Sequence, residues 1–108
     1  MHAFDPAVVL DALLDEYSRR ANAIRHDLGL ARDADFAEQA SERQNDEVLH
    51  ALLAEAEAGR RLVGLAKLRL ADGTYGDCVR CGATIEAARL HALPTAECCL
   101  ACADLSKA

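Results

Sequence analysis

Two C-x-x-C turns, Cys78-Val79-Arg80-Cys81 and Cys99-Leu100-Ala101-Cys102, stand 17 residues apart and constrain this chain more than any other feature. One such turn alone is ambiguous: it is either a dithiol redox pair or half of a metal site. A redox pair needs a single C-x-x-C, usually opening a helix after a strand of a βαβ unit, and no such unit is visible. Two turns at this spacing instead close a tetrahedral shell, because each offers two sulfurs at the separation that zinc requires. Cys78, Cys81, Cys99 and Cys102 are therefore the candidate ligands of one structural Zn²⁺. Iron also occupies four-cysteine sites, but so short a module favours zinc. Gly82 after the second cysteine lets the knuckle turn with free backbone donors directed at sulfur.

With four protein ligands, no position remains for water, so a catalytic metal is not expected. The metal instead holds a segment, residues 72–108, with too little apolar surface to fold unaided. His91 lies between the two turns, but four sulfurs already suffice, and a surface or packing role is expected. Cys98 is a fifth cysteine, adjacent to Cys99. It is either a small packing side chain or a spare thiol able to swap in as ligand or to be oxidised.

The rest of the chain offers little core. More than half of it is apolar by a broad count, but there is no Trp, only two Phe and two Tyr, and much of the remainder is Ala. This inventory suits a thin helix-on-helix seam better than a multilayer α/β body. Asp5-Pro6 is a helix start, a capping Asp before Pro at the first helical position. Leu10, Leu13, Tyr17, Ala21, Ile24 and Leu28 then recur at steps of three and four, one face of a helix, with Gly29 as a C-terminal cap or bend.

A second run begins near Ser41. Leu49, Leu52, Ala56, Gly59, Val63, Ala66 and Leu70 make a heptad seam that Gly73 stops. Gly59 and the alanines thin that seam and let a facing helix approach closely. Two amphipathic helices joined by a short polar turn should form an antiparallel hairpin. The expected fold is mainly α: an antiparallel two-helix coiled-coil hairpin over 1–71 with its tip near 31–40, then a small four-cysteine zinc-finger module with a short C-terminal helix over 72–108.

Net charge is −6, which disfavours binding along a phosphate backbone, and four thiolates on Zn²⁺ add a further −2. No apolar run approaches the ~20 residues that span a bilayer, so no membrane partner is expected. The N-terminus lacks the basic and apolar blocks of a signal peptide. A cytoplasmic location is expected, where five cysteines serve as metal ligands or redox groups rather than structural disulfides.

The run YGDCVRCGATIEAARLHALPTAECCLACA, Tyr75 to Ala103, closely resembles the zinc-finger signature of the DksA/TraR family of bacterial transcription factors. The likeness includes the Tyr75-Gly76 pair, Ile85, Arg89-Leu90, Ala92 and the Pro94-Thr95-Ala96 turn, besides both intercysteine spacings. Family members also carry D-x-x-D-x-A at the hairpin tip. Ungapped alignment from the cysteines places Asp35, Glu38 and Ala40 there, in the sequence DFAEQA, so the second acid is Glu. The extra methylene moves that carboxylate by ~1.5 Å, a shift that matters where placement is functional. Asp33 and Asp35 before Ala37 form another local register.

This resemblance implies a regulator without chemistry of its own. It binds RNA polymerase as a monomer, inserts the hairpin through the secondary channel and remodels open promoter complexes with its acidic tip. Sequence-specific DNA binding is not expected. Members that respond to guanosine tetraphosphate have basic residues where this chain has Leu62, Leu93 and Ala103, which cannot pair with phosphates. Weak alarmone dependence follows. Competing readings are a Gre-like stimulator of transcript cleavage, in which the tip carboxylates hold a second Mg²⁺, and a thiol- or zinc-sensing protein acting through Cys98. A direct nucleic-acid-binding ribbon would rely on Arg80, Arg89 and Lys107.

Overall fold

The computed structural model describes residues 4–31 and 39–106, with side chains over 4–29 and 45–104. The chain is mainly helical: α1 (Pro6–Ala31), α2 (Gln39–Asp72), α3 (Ala87–Ala92) and α4 (Leu100–Ser106). Asp77 and Thr84 add one isolated antiparallel bridge. No helix among the described residues is long and apolar enough to cross a membrane. The expected tip residues Asp35 and Glu38 lie outside the described residues; Ala40 is in the first turn of α2, its side chain outside them.

The Asp5-Pro6 signal is realised at the start of α1. Asp5 Oδ1 accepts the Ala7 amide at 3.1 Å, and the Asp5 carbonyl accepts that of Val9 at 3.1 Å. Gly29 does not end the helix, which continues to Ala31. One glycine costs a helix about 1 kcal/mol relative to alanine, too little to end it against an established seam.

The chain divides into two compact units, Leu14–Arg61 and Met1–Leu13 with Leu62–Ala108. Within Leu14–Arg61, Ala21, Ile24, Ala56 and Gly59 are buried between antiparallel stretches of α1 and α2. Arg25 pairs with Glu57 across the helices, and Glu57 also meets Arg60 at 3.3 Å. Such exposed pairs contribute roughly 0–1 kcal/mol each and set register more than stability. The anticipated seam residue Leu52 is 44% exposed, while Leu53 is half-buried. Steps of four then three connect Leu49 to Ala56 as well as three then four, and the fold uses Leu53.

Gly59 is where the seam is thinnest. A methyl group there would stand 2.5 Å from Cε1 of Tyr17, well inside contact distance of its ring. The ring is also approached by Arg20, whose guanidinium carbon lies 5.3 Å from the centroid. In the other unit, Leu10, Val63 and Ala66 are fully buried, and Lys67 pairs with Asp11 at 2.6 Å. A Cβ placed on Gly64, also in α2, would meet nothing within 4 Å.

The two helical glycines should therefore respond oppositely to alanine. Gly64→Ala should stabilise by about 0.5–1 kcal/mol through helix propensity. Gly59→Ala should destabilise by about 1–3 kcal/mol, because the Tyr17 ring must leave its place. Denaturant unfolding checks both. In a Tyr17→Ala background, Gly59→Ala should lose its penalty; a penalty that persists there would exclude the ring as its cause.

Candidate metal centre

The cysteines are positioned by two backbone devices. α2 ends at Gly73, whose φ of 79° is open to glycine, and the Thr74 and Tyr75 amides return to the Arg69 carbonyl at 2.9 and 3.1 Å. A tight hairpin follows: the Ile85 amide donates to Gly76 O at 2.7 Å and the Cys78 amide to Ala83 O at 2.8 Å. At its turn Gly82, φ 77°, donates to Cys78 O at 2.9 Å. Backbone donors are directed at sulfur, as the sequence led one to expect: the amides of Cys99, Cys81 and Arg80 are aimed at Cys78, and that of Ala83 at Cys81.

The second C-x-x-C opens α4. The Cys99 carbonyl accepts the Ala103 amide at 2.9 Å, so Cys102 lies in the first turn, on the side of Cys99. The Val79 amide donates to Glu97 O at 2.9 Å and lays the two cysteine turns side by side.

Cys78, Cys81, Cys99 and Cys102 converge with all four sulfurs within 4.8 Å of one another. The Cys81 and Cys99 sulfurs are 3.7 Å apart, close to the ~3.8 Å edge of a tetrahedron with Zn–S bonds of about 2.3 Å. All five cysteines are free thiols. Cys78, Cys99 and Cys102 are buried, with Cys81 exposed at the rim. The donor set fits one zinc ion, to which it would offer four sulfurs. His91 is not in the group; its ring packs on Phe4 at 4.5 Å between centroids.

Electrostatics separate the thiols. The Cys99 and Cys81 amides, with that of Arg80, lower the Cys78 thiol to about 5. The Cys102 thiol donates to Cys78 and Cys99, which with burial pushes it up to about 12. At Cys81 the Ala83 amide acts downward, but the neighbouring sulfurs Cys78 and Cys99 and burial outweigh it, and the thiol is raised. Burial raises Cys98, helped by the charge of Cys78. Four sulfurs this close cannot all ionise without a cation among them.

The family-like residues around the sulfurs prove to be struts. Tyr75 Oη donates to Pro94 O at 2.7 Å, and Arg89 Nε to Cys98 O at 2.9 Å. Ile85 and Ala96 are buried, and Leu90 packs on the sulfur cluster. Arg69 was not foreseen: it reaches Thr95 O at 3.5 Å and Glu97 at 3.8 Å, tying the end of α2 to the segment before Cys99. No sequence signal marks it, since it sits beside the seam as an ordinary helical cation. Leu62, Leu93 and Ala103, far apart in sequence, line one shallow depression of about 330 Å³ together with Arg89.

A compact four-sulfur knuckle module following two long helices defines a class, and the comparisons agree with it. Residues 73–107 match the prokaryotic dksA/traR C4-type zinc finger, and residues 7–62 match the DnaK suppressor protein-like N-terminal domain. The chain belongs to the DksA-like family. No curated protein matches it. Among solved structures it is similar to that of transcription factor DksA2 from Pseudomonas aeruginosa, at 27% identity and a TM-score of 0.74. The match covers 94% of this chain and 82% of that one.

Zinc uptake should release protons. Cys81 and Cys102 are raised in the metal-free arrangement and hold their protons at neutral pH, so binding should expel at least these two. The bound state carries fewer protons, so affinity must fall as pH falls. Calorimetric titration of zinc in buffers of different ionisation enthalpy gives the proton count. Release of one proton or none would contradict this arrangement of thiols.

Proposed function

We propose that this protein is a transcription regulator that binds RNA polymerase through the secondary channel and modulates open promoter complexes. In this reading Cys78, Cys81, Cys99 and Cys102 hold one structural zinc ion, and Asp35, Glu38 and Ala40 are the tip that meets the polymerase active centre. The protein acts by binding, as a cytoplasmic monomer, with no catalysis of its own. What carries the reading is membership of the DksA-like family across both the helical segment and the cysteine module. The likeness to transcription factor DksA2 supports it, as does the net charge of −6. A negatively charged element suits a channel that handles nucleotides and ends near Mg²⁺ and basic groups.

The test is the lifetime of an open complex at a ribosomal RNA promoter with cognate polymerase. The wild-type protein should shorten it. Asp35→Asn should still bind polymerase but lose roughly tenfold or more in potency, since one charge-assisted contact is worth about 1.5–3 kcal/mol. Polymerase binding with no change in lifetime would sink the regulatory reading. Stimulated transcript cleavage in the same reaction would replace it with the Gre-like one.

Weak alarmone dependence belongs to the same reading. Leu62 and Leu93 are 42% and 47% exposed, and with Ala103 they present methyl groups where basic residues would face a phosphate. Arg89 is the cation of that depression, and its Nε is engaged by the Cys98 carbonyl. Guanosine tetraphosphate should leave potency unchanged to within about twofold, because no charge-assisted hydrogen bond worth about 1.5–3 kcal/mol is added there. Dose–response curves with and without the nucleotide decide this, and a tenfold gain would overturn it.

A further inference from the structure

Tetrahedral coordination needs four sulfurs, and this chain brings five into one neighbourhood. Cys98 packs against the cluster of Cys78, Ile85, Cys99 and Cys102. Cys78 is a member of that cluster, so the fifth sulfur packs beside the shell that Cys78 helps to form. Backbone groups build this contact without help from a metal. The Val79 amide on Glu97 O, at 2.9 Å, aligns the residue after Cys78 with the residue before Cys98. Arg89 Nε fixes the Cys98 carbonyl at 2.9 Å from the other side.

From this geometry we infer that Cys98 is a reserve ligand, which completes the sulfur shell when Cys78 is lost to the metal. The inference rests on the zinc reading above. A sulfur packed against the cluster that contains Cys78 can take its place by side-chain rotation and a small local shift. Zinc has a filled d shell and imposes no electronic preference that would oppose such an exchange. The reserve is specific to one corner of the tetrahedron. Cys81 is exposed at the rim and is not in the buried cluster against which Cys98 packs, whereas Cys78 is. The chain would therefore keep its module closed when Cys78 is consumed, and would open when Cys81 is.

The experiment compares the full-length wild type with Cys78→Ser, Cys81→Ser, Cys98→Ser and the double variant Cys78→Ser/Cys98→Ser. Serine keeps an acceptor for the three amides aimed at position 78, which limits misfolding for reasons unrelated to the metal. Zinc content and competition with a chromophoric chelator give stoichiometry and affinity. Cobalt substitution reports the number of thiolates through the intensity of its sulfur charge-transfer band.

Wild type and Cys98→Ser should each hold one zinc ion with equal affinity. Cys78→Ser should still hold one, weakened by roughly tenfold to a hundredfold, and retain the four-thiolate cobalt band. The double variant and Cys81→Ser should lose stoichiometric binding. As a second readout, iodoacetamide should alkylate Cys98 in zinc-loaded wild type but not in zinc-loaded Cys78→Ser. If Cys78→Ser is as metal-poor as Cys81→Ser, or Cys98 stays open to alkylation in it, the reserve role is wrong and the zinc reading stands. If wild type takes up no zinc, both are wrong. Loss of zinc from Cys98→Ser alone would make Cys98 an ordinary ligand and equally overturn the reserve.

Discussion

Closure of four sulfurs within 4.8 Å is the constraint on which the C-terminal half of this protein depends. The buried hydrophobic cluster there consists of three of the ligating cysteines and one isoleucine. α3 buries no side chain at all, and α4 spans only seven residues. An assembly this small cannot offset the conformational entropy of its backbone by apolar burial alone. Metal–thiolate bonds from Cys78, Cys81, Cys99 and Cys102 would supply what the core lacks, which couples metal binding to folding in such modules. The struts then act on a framework already closed: Tyr75 on Pro94, Arg89 on Cys98 and Arg69 on Thr95 each join segments that the cysteines have brought near.

The helices solve the same shortage of large side chains differently. Where the metal module substitutes coordination for burial, the Leu14–Arg61 unit substitutes close approach. Alanine and glycine bury little area each, but they let the facing backbones and the Tyr17 ring come near enough to exclude water. Such a seam is sensitive to added volume in a way that a leucine-rich seam is not. A single methyl at Gly59 meets an aromatic ring, whereas a leucine contact could readjust through its rotamers.

The helices, the metal group and the end of α2 at Gly73 were legible in the sequence because each is written in local chemistry: heptad steps, C-x-x-C spacing, a glycine past the last periodic residue. What escaped was of two kinds. Choices between neighbours with equal periodicity, such as Leu52 against Leu53, depend on which side chain the partner helix actually covers. Long-range polar contacts, such as Arg69 to Thr95 and Glu97, join residues with no common period. The depression that gathers Leu62, Leu93 and Ala103 had a sequence signal only through alignment to relatives, since nothing local links the three positions.

A closed shell also limits what the metal can do. An ion held by Cys78, Cys81, Cys99 and Cys102 would have all four tetrahedral positions taken by protein and would act through the shape it maintains. The surface it maintains is apolar where Leu62, Leu93 and Leu100 are exposed, in a chain of net acidic charge. A phosphate backbone gains little from either property, since it is bound through clustered cations. A protein surface gains from both, because apolar contact provides burial while unlike charge steers encounter. The polymerase proposed above is a partner of the kind that these properties suit.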